Sequence, residues 1–184
     1  MPPVHPASAG LPRIRRLALA VRLLSLLGAA ALLLLPPLFW SQPDWVAEVA
    51  RQQWGVGAPL RLDATARWAG LAASGLPVAA GLWALWEIWR LFGCFARGEL
   101  LARRPARHLR RLGLALMTQA AAQPLGQTLA VLALTLANPP GQRQLVFGLS
   151  SEHYLSLLFG LMLLALAAVM GEAARVADEN AEFI

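Results

Sequence analysis

Four long stretches of this chain carry no charged residue. They cover residues 23–43, 68–86, 112–142 and 153–171 and contain 21, 19, 31 and 19 residues. An apolar stretch of about 18 residues or more is typical of a transmembrane helix, because about 20 residues at ~1.5 Å rise span a ~30 Å hydrocarbon core. Backbone groups in lipid must satisfy their own hydrogen bonds, so each stretch is expected to be helical.

The pattern predicts an all-α integral membrane protein, a bundle of four transmembrane helices. The predicted helices cover about 17–40, 69–95, 112–137 and 154–172. This transmembrane domain, 17–172, follows a proline-rich arm, 1–16, that is expected to be disordered and cytoplasmic. An acidic tail, 173–184, is expected to continue the last helix into the cytoplasm.

The composition agrees with a membrane protein and limits the chemistry. Hydrophobic residues make up 58% of the chain and charged residues 14%, against about 45–50% and 25% in soluble domains. The single cysteine, Cys94, excludes an internal disulfide and a cysteine-cluster metal site. The histidines lie in three separate segments, and no catalytic motif is present. We therefore expect no catalytic residue, no metal, no cofactor and no enzymatic activity.

The arginines predict the orientation in the membrane. All sixteen basic residues are arginines; ten lie in the arm, in the connector between the second and third helices, and after the fourth helix, and four lie on the opposite side. Arginine excess marks the cytoplasmic side, so both termini are expected in the cytoplasm and the protein in a bacterial inner membrane. The excess also favours contact with anionic lipid headgroups, and direct nucleic-acid binding is not expected.

The two segments expected outside the cytoplasm, between the first and second and between the third and fourth predicted helices, contain patterns typical of short helices and strands. Residues 44–51 have the spacing of a short amphipathic helix at the membrane interface, with Trp45, Val49 and the slightly displaced Val46 on its apolar face. Residues 60–65 and 143–150 alternate apolar and polar positions and are expected to pair as a β-hairpin or to remain loops. Four tryptophans are expected to form an outer aromatic belt; they are Trp40, Trp45, Trp54 and Trp68.

Six polar residues within the predicted spans are candidate site residues, because such groups are costly in lipid. They are Arg22, Glu87, Arg90, Gln119, Gln123 and Gln127. The glutamines recur every four residues and so follow one helix face. One interpretation is a polar pathway with Glu87 as a proton or cation site. The other is structural, with Glu87 paired to Arg22 or Arg90 and the glutamines bonded between helices.

Two oppositely charged cytoplasmic segments are the candidate interaction residues. The connector contributes Arg97, Arg103, Arg104, Arg107, Arg110 and Arg111, and the tail contributes Glu172, Arg175, Asp178, Glu179 and Glu182. Arg175 and Glu179 are four apart and can pair on a helix. The tail is expected to dock on the connector, to bind a basic partner protein, or to remain solvated.

The tail also carries a family resemblance. Its sequence from Gly171 to Ile184 resembles the terminal signature of the domain of unknown function 2975 family, small bacterial four-helix membrane proteins. The segments 91–99 and 110–113 support it, and 141–151 is similar to the family's last external loop. The family's usual aromatic residue after Gly98 is absent. The resemblance implies cytoplasmic ends, no assigned substrate and, from relatives encoded beside a helix-turn-helix regulator, a cytoplasmic regulatory partner.

These observations favour a non-enzymatic accessory, sensory or regulatory membrane protein that acts through its connector and tail. The alternative is a small transporter or channel that uses Glu87 and the glutamines. Homo-oligomerisation is left open by the sequence.

Overall fold

Five α-helices form the described part of the chain, which is residues 11–99 and 102–181 of a computed structural model. They are α1 (Leu11–Ser41), α2 (Pro43–Gln52), α3 (Ala64–Ala96), α4 (Arg103–Thr135) and α5 (Ser151–Ala181). No β-strand occurs within those residues. The all-α prediction is therefore confirmed for them, and of the two alternatives for the external segments, a hairpin or loops, the hairpin is wrong.

Among the described helices, three are long and apolar enough to cross a membrane. The candidate spans are Arg13–Ser41, Ala64–Ala96 and Ser151–Asn180. These support the predicted membrane protein but not a count of four spans. α4 differs because it begins in the arginine-rich connector and carries three glutamines, which lower its mean hydropathy below that of the other long helices.

The four long helices form an open row. α1 packs on α3, α3 on α4, and α4 on α5, whereas α1 and α5 do not form a packed pair in the part of the chain described. The small residues of α4 explain its central position. A Cβ on Gly113 would lie 2.7 Å from the Gly160 carbonyl oxygen of α5, and one on Gly126 would lie 2.8 Å from Cδ of Pro77 in α3. The predicted bundle is thus a layer rather than a closed ring.

The outer helices of this row expose their leucines. Ten leucine side chains of α1 are exposed, among them Leu27 at 67% and Leu34 at 69%. α5 likewise exposes Leu158, Phe159 and Met162. Broad exposed apolar surfaces of this kind are rare on soluble monomers and typical of a surface that meets lipid or another helix.

The end opposite the arginine connector is closed by a compact apolar cluster. Trp40 at the end of α1 is 3% exposed and packs with Val46 and Ala50 of α2 and with Leu134 of α4. Its indole N–H donates to Oγ of Ser74 at 2.9 Å. Trp40 is therefore a core residue rather than part of the predicted belt, whereas Trp68 is 70% exposed as a belt residue would be.

The predicted amphipathic helix is present as α2. Pro43 occupies its first turn, where a missing N–H costs nothing. Val46 and Ala50 are its buried residues, while Trp45 is 41% exposed. The helix was thus correctly predicted, and of the three residues expected on its apolar face Val46 is buried, Val49 is half-buried and Trp45 is exposed.

Side-chain amides replace the predicted hairpin at this end. The Gln144 Oε1 atom accepts hydrogen bonds from the backbone N–H groups of Gly57 at 3.1 Å and Ala58 at 3.2 Å. Asn138 Nδ2 donates to the Pro59 carbonyl oxygen at 2.7 Å. The two loops therefore meet as expected, but side chains rather than a strand ladder satisfy their backbone groups.

The start of α1 also departs from the prediction. Residues 1–10 of the expected disordered arm lie outside the described residues, but residues 11–16 already belong to α1. The helix extends this far because Pro12 falls in its first turn, where proline is tolerated. The next four residues, three arginines and one isoleucine at positions 13–16, have helix propensities that allow the helix to continue.

Candidate functional site at the arginine-rich end

A buried carboxylate stands at the end of the layer where α3 ends and α4 begins. Glu87 of α3 is 3% exposed. Its Oε2 lies 2.6 Å from Nδ1 of His108 on α4, and its Oε1 lies 3.9 Å from Nη1 of Arg111. We call this end of the row, where α1 also begins and α5 ends, the Arg end. The Glu87 contacts fasten α3 to α4 there.

The predicted pairing of Glu87 with Arg22 or Arg90 is wrong. The Arg22 guanidinium lies 3.9 Å from the ring centroid of Trp89, and that of Arg90 lies 5.6 Å from the ring of Trp86. Residues two apart on a helix are related by a rotation of about 200° and so point to nearly opposite sides. Glu87 therefore faces α4 while Trp89 faces α1 and receives its arginine as a cation–π contact.

His108 is the site residue that sequence reasoning missed. The charge-free stretch predicts that the third long helix begins at Leu112, which leaves His108 in a connector. In the structure α4 begins at Arg103, since Pro105 lies in the first turn, where it does not interrupt a helix. His108 and Arg111 then fall three apart on one face. The helical spacing of the arginines was the available signal.

The Arg end also contains a basic cleft of about 470 Å³. α1, α3, the connector and α4 all contribute to it. Its lining residues are Arg22, Trp89, Arg90, Gly93, Cys94, Arg97, Arg104, Arg107, His108 and Arg111. The structure thus brings two intramembrane arginines and four connector arginines of the sequence prediction into one place.

The connector arginine nearest to α3 is neutralised locally. Arg97 Nε donates to Oε1 of Glu99 at 2.8 Å, and Arg97 Nη2 contacts Sγ of Cys94 at 3.3 Å. The hydrogen bond from Arg97 lowers the pKa of Glu99 and raises the pKa of Arg97, because each partner favours the charged form of the other. This pair is therefore charged at neutral pH.

The glutamines do not join Glu87 in a continuous polar path. Gln119 Nε2 donates to Gln123 Oε1 at 3.5 Å, and the Gln119 Oε1 atom is buried without a partner among the described residues. Gln123 is exposed and Gln127 is half-buried. No hydrogen bond connects them to Glu87 in the described part of the chain.

The acidic tail continues α5 as far as Ala181 and is mostly paired within itself. Arg175 contacts both Glu172 and Glu179 on its own helix. Among the described residues one ion pair, Arg103 Nε to Asp178 Oδ2 at 3.0 Å, joins the tail to α4, and both side chains are well exposed. Glu182 lies outside the described residues.

A groove of about 930 Å³ runs between α4 and α5 beside this ion pair. Arginines stand along it, and its remaining lining is apolar. The residues that line this α4–α5 groove are Arg103, Ala106, Arg107, Arg110, Leu164, Ala167, Ala168, Gly171 and Arg175. Guanidinium groups beside apolar side chains can bind a ligand that presents both acidic and apolar groups.

Residues 11–99 and 102–181 contain no cluster of metal-binding side chains. No three histidine, cysteine or acidic side chains there come together in a way that would hold an ion. The charged and titratable groups described above are arginines, the buried carboxylate of Glu87, the carboxylate of Glu99, one histidine and the thiol of Cys94.

Comparison with known protein families identifies a family to which this chain is similar. The family described as "Protein of unknown function (DUF2975)" matches residues 58–184, a range that includes α3, α4 and α5 and leaves out α1 and α2. No curated protein and no solved structure matches the chain. The resemblance seen in the tail is therefore confirmed.

Proposed function

The chain belongs to the DUF2975 family, and we propose that it is a non-enzymatic accessory, sensory or regulatory protein of the bacterial inner membrane. In this proposal it spans the membrane four times with both termini in the cytoplasm. The Arg end is its interaction surface, and a cytoplasmic regulatory protein is its partner.

The position of α4 supports a fourth span. α4 packs between α3 and α5, which both have the length and hydropathy of membrane spans. Its polar side chains are partly shielded by these neighbours, for example Gln119, which faces Gly81 of α3. A central helix needs less hydropathy than an outer one, because protein rather than lipid covers much of it.

One observation carries the proposed interaction role, namely the α4–α5 groove. Arg107 and Arg110 stand at this groove, and no carboxylate of the described residues lies within salt-bridge distance of either. The apolar floor offers area for hydrophobic contact, and the arginines select for acidic groups. A partner helix with an acidic edge has this chemistry.

Truncation tests the proposal. The full chain and a chain that ends at Glu172 are purified in mild detergent, and co-purifying proteins are identified and then re-bound as pure components. We expect a specific partner of the full chain to be lost on truncation and on Arg107→Gln/Arg110→Gln. The matched control Arg15→Gln/Arg16→Gln removes two exposed arginines outside the groove and is expected to keep the partner. A partner retained by all four chains would overturn the assignment to this surface.

Transport remains the second candidate, favoured by the burial of Glu87 and by the unpartnered Gln119 Oε1 atom. It requires ion or proton flux in reconstituted vesicles that falls with Glu87→Gln. Absence of flux in wild-type vesicles would exclude this alternative.

A further inference from the structure

The basic cleft carries more positive charge than the surrounding chain neutralises. Glu99 lies 2.8 Å from Arg97, and Glu87 lies 3.9 Å from Arg111 and 2.6 Å from His108. Four further cleft arginines have no carboxylate within 4.0 Å among the described residues; they are Arg22, Arg90, Arg104 and Arg107. Six arginines thus face two carboxylates.

The start of α4 adds to this positive potential. Its first turn contains Arg103 and Arg104 but no acidic residue, and Ala102 at the N-cap supplies no side-chain hydrogen bond. The first amides of a helix lack partners within the helix, and the helix dipole places about half a positive charge at that end. Helices usually offset this with acidic residues, so the opposite arrangement here favours an external anion.

The presence of Arg22 in the cleft is not explained by the arginine excess that orients the chain in the membrane. Arginines anywhere in the cytoplasmic segments would orient the chain, but Arg22 comes from α1, inside a candidate membrane span. Its Nε atom is buried without a partner in the described residues, while its guanidinium stacks on Trp89. Stacking on a ring face leaves the N–H groups in the guanidinium plane available to donate.

We infer that the basic cleft binds a phosphate group, held by Arg22, Arg104 and Arg107. The guanidinium fork matches phosphate oxygens in geometry and remains charged at all physiological pH values. The volume of about 470 Å³ falls within the range of about 300–1,000 Å³ of small-molecule sites. A lipid headgroup and a soluble phosphate compound present the same chemistry to these arginines.

The assignment of the phosphate group to a lipid rests on the proposed membrane orientation, because that orientation places the cleft at the depth of the lipid headgroups. Phosphate affinity itself does not depend on orientation or on a protein partner, because it is measured in detergent on the isolated chain. Failure of the tail truncation experiment and failure of the phosphate experiment are therefore distinguishable.

Two probes test the inference on the full chain. Inorganic pyrophosphate is titrated by calorimetry into protein in a neutral maltoside detergent at fixed ionic strength. Separately, the protein is reconstituted in phosphatidylcholine vesicles with one part in five of phosphatidylglycerol and re-extracted, and the bound lipid is identified by mass spectrometry. The variant Arg22→Gln/Arg104→Gln/Arg107→Gln is compared with Arg13→Gln/Arg15→Gln/Arg16→Gln, which loses the same charge from exposed positions outside the cleft and outside the α4–α5 groove.

We expect the cleft variant to lose about tenfold or more of the wild-type binding of at least one probe, because charge-assisted bonds from three arginines are removed. The control variant is expected to bind like wild type. Selective loss of phosphatidylglycerol identifies the lipid source, and selective loss of pyrophosphate identifies a soluble compound. The inference is overturned if wild type binds neither probe, or if both variants lose binding equally.

A milder pair of variants covers the case in which the triple variant does not fold, as judged by circular dichroism and size exclusion. Arg104→Gln and Arg15→Gln each change one exposed side chain outside the α4–α5 groove, and only Arg104 lines the cleft. A several-fold loss for Arg104→Gln alone supports the site, and equal effects reject it.

Discussion

Glu87 on α3 and His108 on α4 face each other with 2.6 Å between Oε2 and Nδ1. This contact joins the two central helices of the row at the Arg end. The Glu87 side chain is 3% exposed, so removing His108 would leave a buried Glu87 oxygen without this hydrogen-bond partner. A buried polar atom that loses its hydrogen bond costs about 1–3 kcal/mol.

The contact predicts strong energetic coupling between Glu87 and His108. In a double-mutant cycle with Glu87→Gln and His108→Gln, we expect a coupling of about 0.5–3 kcal/mol in unfolding free energy. The measurement is reversible unfolding in detergent, followed by circular dichroism. Glu87→Gln with Arg22→Gln is the matched cycle and is expected to be additive within about 0.5 kcal/mol, because Arg22 contacts Trp89 instead. Coupling in the second cycle and not the first would contradict the structure.

The α1–α3 contact predicts that Gly70 tolerates no side chain. A Cβ at this position would overlap the Trp40 ring, which is buried and bonded to Ser74. Gly70→Ala is therefore expected to lower the unfolding free energy by about 1–3 kcal/mol. Gly75→Ala on the same helix meets nothing within 4 Å and is expected to be neutral or slightly stabilising by up to ~1 kcal/mol. Equal stability of the two variants would place Trp40 elsewhere.

The crossing of α4 and α5 depends on a pair of glycines. Cβ atoms on Gly113 and Gly160 would each lie within 3 Å of the other residue's carbonyl oxygen. Backbone approaches of this kind between membrane helices require small residues. Gly160→Val is expected to shift α5 away from α4, lower the melting temperature in detergent and weaken the Arg103–Asp178 contact. Gly171→Ala, which meets nothing within 4 Å, is the control, and a melting temperature for Gly160→Val equal to this control would argue against the crossing.

The loop contact at the opposite end predicts a change in protease sensitivity. Gln144→Ala removes two hydrogen bonds to the 57–58 backbone, each worth about 0.5–1.5 kcal/mol. Tryptic cleavage after Arg61 and Arg143 is therefore expected to quicken by about fivefold or more in the detergent-solubilised protein. Gln142→Ala, an exposed side chain without a hydrogen bond in the described residues, is expected to cleave at the wild-type rate. An unchanged rate for Gln144→Ala would mean that these loops are held by other contacts.

Periodicity and charge gaps predicted the long helices well, because a run of apolar residues leaves the backbone little alternative to a helix. Three of the four stretches gave helices of membrane-spanning character. α4 was harder, since its glutamines lower the hydropathy while its neighbours provide the shielding. A single sequence does not reveal which helix lies in the middle of a row.

Pairing partners were less predictable than helices. Equal depth suggested Arg22 for Glu87, but the rotation of α3 turns Glu87 toward α4 and Trp89 toward α1. His108 became visible as a partner only once α4 was seen to begin at Arg103. Side-chain direction around a helix depends on packing, and the sequence holds that information only weakly.

The most direct test of the proposed orientation and span count uses reporters at two points of the chain. Fluorescent protein and alkaline phosphatase are fused separately after Pro140 and after Ile184 in a bacterial host. Four spans with a cytoplasmic Arg end predict active phosphatase after Pro140 and bright fluorescent protein after Ile184. Fluorescence after Pro140 together with active phosphatase after Ile184 would mean that α4 does not cross the membrane or that the chain is inverted, and would contradict the proposal.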